Sequence, residues 1–175
     1  MLDVAAATRT STEQAVRELL MAGIPKAHRL ATWILHDSVV AEDAVQEAAV
    51  LAWDRRGTLR EVDSVEAWFN RILVNVCRAE LRRRARRAPI TEMEPGSDNA
   101  PESLGRRDEL SRAILALTAD EQVLLALRFG RDLTIPLIAV TTGMREGTVK
   151  SRLHSALQHL RAALDAGRRV EESLR

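Results

Sequence analysis

Apolar residues recur every three or four positions through most of this chain, the spacing that puts them on one side of a helix. Between Glu42 and Trp53 the residues Val45, Ala48, Ala49 and Ala52 share a face, and Asp43, Gln46, Glu47 and Val50 follow i, i+3, i+4, i+7 on another. Between Trp68 and Arg87 the apolar stripe is Trp68, Phe69, Ile72, Val76 and Ala79. Arg71, Asn75, Arg78 and Arg82 form a separate row that runs on into Arg83, Arg84, Arg86 and Arg87. Near the C-terminus, Val149, Leu153, Ala156, Leu157, Leu160 and Leu164 predict a buried stripe, with Thr148, Ser151, His154 and Ser155 opposite and Lys150 and Arg152 beside them.

Helix starts are signalled by Thr10-x-x-Glu13 and Thr118-x-x-Glu121, where hydroxyl and glutamate satisfy the free N–H groups of a first turn. Asp63-x-x-Glu66 is a looser version. Val123, Leu124, Leu125 and Leu127 after Thr118 predict a short buried helix. Thr134 to Val140 and Arg145 to Leu164 read as two helices joined by Thr141-Thr142-Gly143-Met144, a helix-turn-helix plan.

The periodicity breaks at residues 88–105, which hold Pro89, Pro95, Pro101, Gly96 and Gly105 and almost no large apolar side chains. This stretch is expected to be a flexible linker between a helical domain over residues 1–87 and a second over 106–175. Composition agrees with an all-α fold of two small helical domains: of 175 residues only 8 are Gly and 5 Pro, and 46% are hydrophobic.

Charge changes the picture more than composition does. The net charge is only +1, yet Asp37, Glu42, Asp43 and Glu47 cluster without a basic residue, and residues 68–90 carry seven Arg against the single acid Glu80. Separate acidic and basic surfaces on so short a chain suggest more than one macromolecular partner. The acidic row on its own is compatible with a solvated helix face or with a docking surface for a basic partner. The arginine row fits phosphate, and Asn75 could read a base edge, but solvation or favourable charge at a helix C-terminus accounts for it too. The small polar face of the last helix suits the major groove, while a helix-turn-helix used only for packing is the plainer alternative.

Other chemistries lack their residues. Cys77 is the only cysteine, and His28, His36, His154 and His159 stand in no metal-ligand spacing. Neither a glycine-rich phosphate loop nor a nucleophile elbow is present, so no enzyme activity, metal or cofactor is expected. No run of 18 apolar residues and no export signal occurs, which points to the cytoplasm without membrane insertion.

Together these segments resemble the extracytoplasmic-function sigma factors, the smallest class of bacterial transcription initiation factors. Ala41-Glu-Asp-Ala-Val-Gln-Glu-Ala48 is similar to the family's Asp-x-x-Gln signature, matched by Asp43 and Gln46 and followed by Glu47. The segment from Ala67 to Arg83 is similar to the helix that recognises and opens the −10 element. Glu146-Gly-Thr-Val-Lys-Ser-Arg-Leu-His154 is close to the pattern of the helix that reads the −35 element.

The resemblance implies an alternative sigma factor that binds core RNA polymerase at the clamp coiled coil and flap, with promoter DNA and an anti-sigma factor as further partners. It implies polymerase contacts by Asp43, Gln46, Glu47 and Val50, and −10 contacts by Arg71, Asn75, Arg78, Arg82 and Arg83. The −35 contacts it implies fall to Arg145, Glu146, Thr148, Lys150, Ser151, Arg152 and His154. The loop from Arg55 to Ser64 lies where the family captures a flipped base. Departures are the Leu137-Ile138-Ala139 after Pro136, where a Glu-Ile-Ala is usual, Arg145 in place of Ser, and Ala79 in place of an Asp. The alternative is a two-domain helix-turn-helix regulator that binds DNA without polymerase.

Overall fold

A computed structural model describes residues 2–59, 65–87 and 102–173. The described residues form seven α-helices and no strand: α1 (Leu2–Leu35), α2 (Ser38–Arg55), α3 (Val65–Arg87), α4 (Glu102–Leu115), α5 (Ala119–Leu125), α6 (Ile135–Thr142) and α7 (Glu146–Ser173). Two sequence expectations are corrected. α1 runs unbroken through Thr10, so Thr10-x-x-Glu13 starts no helix. α4 begins at Glu102, inside the segment read as linker up to Gly105. Asp63 of the looser capping signal lies outside the described residues.

α1, α2 and α3 pack on one another around Leu30, Ile34, Leu35, Leu73 and Val74, all fully buried. The corner between α1 and α2 is turned by His36 at φ 54 and fixed by Asp37, whose Oδ1 accepts from the N–H groups of Val39 (3.0 Å) and Val40 (3.1 Å). Such a cap is worth about 1 kcal/mol. Arg84 ties the far end of α3 to this corner: Nη1 donates to the Leu35 carbonyl at 3.2 Å and Nη2 to Asp37 Oδ2 at 3.4 Å. Burial, and then the charge of Arg84, lowers the pKa of His36, favouring an uncharged ring at the corner.

In the second half α4, α5 and α6 pack against α7 around Leu124, Leu127, Ile138 and Val149. The capping box at Thr118 forms as read from sequence, with side chains of Thr118 and Glu121 each bonded to the other's backbone N–H. α5 then widens into a π-helical turn, Ala126–Gly130, in which the Arg131 N–H reaches the Ala126 carbonyl at 3.1 Å. α6 opens with Pro136 in its first turn, where a missing N–H costs nothing. It ends at Gly143, φ 71, the left-handed position that turns the chain into α7.

The two halves also pack against each other. α3 lies along α5 and α6, and α1 touches the π-helical turn. A single buried cluster runs from Ala27 to Ala156 through both halves. This explains why α3 is buried more widely than one stripe: Leu73, Val74 and Cys77 are buried beside Phe69, Ile72 and Val76. Ala79, placed on the apolar stripe by periodicity, is exposed instead.

Candidate functional surfaces

α2 buries Ala41, Ala44, Val45, Ala48 and Ala52 and turns the opposite face outward. Asp43, Gln46, Glu47 and Val50 are all exposed. Gln46 Nε2 reaches Glu42 Oε1 at 3.5 Å, whereas Asp43 and Glu47 take part in no ion pair among the described residues. Val50 is 61% exposed and Val39 70%, so apolar surface accompanies the acids. Such a mixture is suited to a partner offering both cations and an apolar contact.

On α3, Arg71, Asn75, Arg82 and Arg83 are exposed and Arg78 is half-buried. Their surroundings differ. Arg78 Nη1 donates to Asn75 Oδ1 at 3.1 Å, and Arg83 pairs with Glu80 one turn back. Arg71 lies over the turn of the helix-turn-helix, its Nη2 2.7 Å from where a Cβ on Gly143 would stand. Gly143 is demanded by its positive φ, while the guanidinium above it is the end of a flexible, exposed side chain that can move aside.

At the start of α7, Arg145, Glu146, Lys150, Ser151, Arg152 and His154 are exposed, and Thr148 is half-buried. Val149, Leu153 and Ala156 hold the helix to the core, as the apolar pattern requires. Leu157, Leu160 and Leu164 of that stripe are only half-buried. Ser151 Oγ donates to the Thr148 carbonyl at 3.1 Å, and His154 Nε2 lies 3.1 Å from Gln158 Nε2. Arg145 and Lys150 form no ion pair among the described residues, so both are available to phosphate.

Residues from two of these surfaces meet at a carboxylate that sequence reasoning did not single out. Asp120, in the first turn of α5, has its Oδ1 2.8 Å from Arg78 Nε and 3.3 Å from Arg82 Nη2. Its Oδ2 accepts from Arg152 Nη1 at 3.1 Å. In sequence Asp120 is one more acid at a helix start, and only the packing of α3 and α7 against α5 gives it three arginines.

Trp53 is half-buried with the Arg56 guanidinium 4.5 Å from its ring centroid, and Phe129, to which the sequence assigned no role, is 59% exposed. Residues 60–64 of the loop assigned to base capture lie outside the described residues. Among the described residues no group of His, Cys, Asp and Glu could hold a metal ion, and no helix is long and apolar enough to cross a membrane.

Comparison with known proteins agrees with this layout. Residues 19–87 match the family described as Sigma-70 region 2, and residues 113–162 match Sigma-70, region 4. The chain is 31% identical over 135 residues to the ECF RNA polymerase sigma factor SigM of Mycobacterium tuberculosis, an alignment spanning 76% of this chain and 68% of that protein. It is 31% identical over 140 residues to the RNA polymerase sigma-E factor of Streptomyces coelicolor, 79% of each chain. Among solved structures it resembles the sigma factor RpoE from Bartonella quintana, co-crystallised with the anti-sigma factor NepR. The TM-score is 0.60 at 23% identity, covering 85% of this chain and 95% of that one. CnrH, in complex with the cytosolic domain of CnrY, gives a TM-score of 0.58 at 22% identity, covering 90% of this chain and 97% of that one.

Proposed function

Because the chain belongs to the extracytoplasmic-function sigma factors of bacterial RNA polymerase, we propose that its three polar surfaces divide the work of promoter-specific transcription initiation among α2, α3 and α7. The Asp43, Gln46, Glu47 and Val50 face of α2 docks on the basic clamp coiled coil of the core enzyme. Arg71, Asn75, Arg78, Arg82 and Arg83 of α3 receive the −10 element, and Arg145, Glu146, Thr148, Lys150, Ser151, Arg152 and His154 of α7 read the −35 element. The two halves, residues 1–87 and 102–175, act as separate grips, with residues 88–101 as the tether between them.

The chemistry is differential binding. Arginine and lysine neutralise phosphates and set the register, and the small polar face of α7 lets its backbone approach base edges. Capture of unstacked bases by the first domain offsets an opening cost of a few kcal/mol per base, which shifts the duplex toward the melted form. The protein makes and breaks no covalent bond, needs no cofactor and works in the cytoplasm, where polymerase and DNA are found. An anti-sigma factor is its regulator.

The observation that carries this reading is the exposed acid, amide and valine face of α2, held by Asp37 and Arg84 on the side of the helix opposite its buried alanines. A DNA-binding regulator working alone has no use for it. Run-off transcription with purified core polymerase and a genomic promoter library tests the reading. New start sites are expected with the wild-type chain and are lost in D43A/Q46A, whose fold is intact because both side chains are exposed. Tight specific DNA binding without polymerase, or undiminished transcription by D43A/Q46A, overturns it.

A further inference from the structure

We propose that Asp120 is an internal stand-in for DNA phosphate: it pins the two halves together by engaging arginines of both DNA-facing helices, so that the free chain is closed and these three arginines are masked from DNA. The inference rests on the assignment of α3 and α7 to DNA given above.

The geometry is specific to this carboxylate. Both oxygens are used, Oδ1 by Arg78 and Arg82 of α3 and Oδ2 by Arg152 of α7. A phosphate group offers arginine the same pair of acceptor oxygens, so one ligand geometry serves for the other. Three of the cations assigned to promoter contacts thereby share one carboxylate within the free chain.

Other contacts close the same interface from α1. The ring of Trp33 packs where a Cβ on Gly130 would come within 2.8 Å. Arg131 Nη1 donates to the Lys26 carbonyl at 3.1 Å, and its Nη2 lies 3.5 Å from Glu66 Oε1. The closure is nonetheless built to open. Arg78 Nη2 is buried with no hydrogen-bond partner among the described residues, and the contact of its Nε with Asp120 is an ion pair without hydrogen-bond alignment. A buried guanidinium left partly unsatisfied costs free energy in the closed state that opening recovers. Asp120 and Arg152 are partly exposed, and Arg82 more so. Salt or competing phosphates can therefore reach the cluster.

The test measures closure and DNA binding separately on the full chain. Small-angle X-ray scattering reports the radius of gyration of wild type, Asp120→Asn and Asp120→Glu at low ionic strength. Fluorescence anisotropy with a labelled duplex, without polymerase, reports DNA affinity. Asp120→Asn keeps the shape and removes the charge; it is expected to expand the particle and tighten DNA binding about tenfold, the effect of releasing three partly exposed pairs. Asp120→Glu restores a carboxylate and is expected to remain compact with wild-type affinity. Far-ultraviolet circular dichroism verifies that each variant retains its helices.

An unchanged radius of gyration in Asp120→Asn overturns the closure. Expansion without tighter DNA binding overturns the masking. Adding Arg83→Ala to Asp120→Asn separates the underlying assignment, because Arg83 pairs with Glu80 and not with Asp120. Weaker DNA binding in that double variant supports both. Unchanged binding shows that α3 is not the DNA surface and overturns the masking with it, while the scattering result on closure stands.

Discussion

Replacing Glu121 by alanine removes more than its small size suggests. Glu121 Oε2 accepts from the Thr118 N–H at 2.9 Å and from its hydroxyl at 2.8 Å, and Oε1 lies 2.5 Å from His159 Nδ1 on α7. The capping box contributes about 1 kcal/mol. The link to α7 adds about another 1 kcal/mol, reduced from the charged hydrogen-bond range because His159 is 63% exposed. A loss of about 2 kcal/mol lowers the melting temperature by about 4–8 °C in a chain of this size.

The effect depends on pH with a definite sign. Burial raises the Glu121 pKa, but hydrogen bonds from Thr118 and His159 and the charge of His159 outweigh it, and the net shift is downward from 4.5. The stabilisation is therefore complete above pH 4.5 and is lost as pH falls through the lowered value. Thermal denaturation followed at 222 nm, at neutral pH and in acid, measures both. A double-mutant cycle with Thr118→Ala should show coupling of about 0.5–1 kcal/mol, since each residue serves the other. Melting of Glu121→Ala within about 1 °C of wild type, or additive losses in the cycle, refutes the reciprocal cap.

Two further outcomes follow from single positions. Gly143→Ala places a Cβ at φ 71 and against the Arg71 guanidinium; denaturant unfolding should show a loss of about 1–2 kcal/mol, and a wild-type midpoint would contradict it. Asp37→Ala should cost about 1 kcal/mol at neutral pH. The Val40 N–H above all, with the Arg84 charge, the Val39 N–H and the Arg84 hydrogen bond, holds this carboxyl below its ordinary value of 3.8, outweighing burial, which raises it. The difference between Asp37→Ala and wild type is thus full above pH 3.8 and closes in stronger acid, which urea titrations at stepped pH check.

What the sequence made legible was whatever depends on neighbours close in the chain. The exposed row on α2, the Thr118 box and the glycine after α6 all follow from spacings of a few residues, and each stands where the pattern placed it. Thr10-x-x-Glu13 misled because no Gly or Pro stands near Thr10 to break a helix, and a capping motif without such a break is simply continued. Ala79 misled for a different reason: alanine carries too little apolar area to decide which side of a helix is covered.

The packing of one half on the other left no such trace. Arg78 and Asp120 are 42 positions apart, and an acid in the first turn of a helix is already accounted for by the helix dipole. The same arginine row that advertises a phosphate partner will accept any carboxylate the fold brings within reach, because guanidinium recognises both by the same fork of donors. A surface rich in arginine is for that reason exposed to capture by its own chain, and a single acid on a neighbouring helix suffices. Occupancy of the arginines in the free protein is then a property of tertiary packing, while their identity as anion-binding groups is a property of the local sequence. The second could be read from the residues alone; the first required knowing where α5 lies against α3.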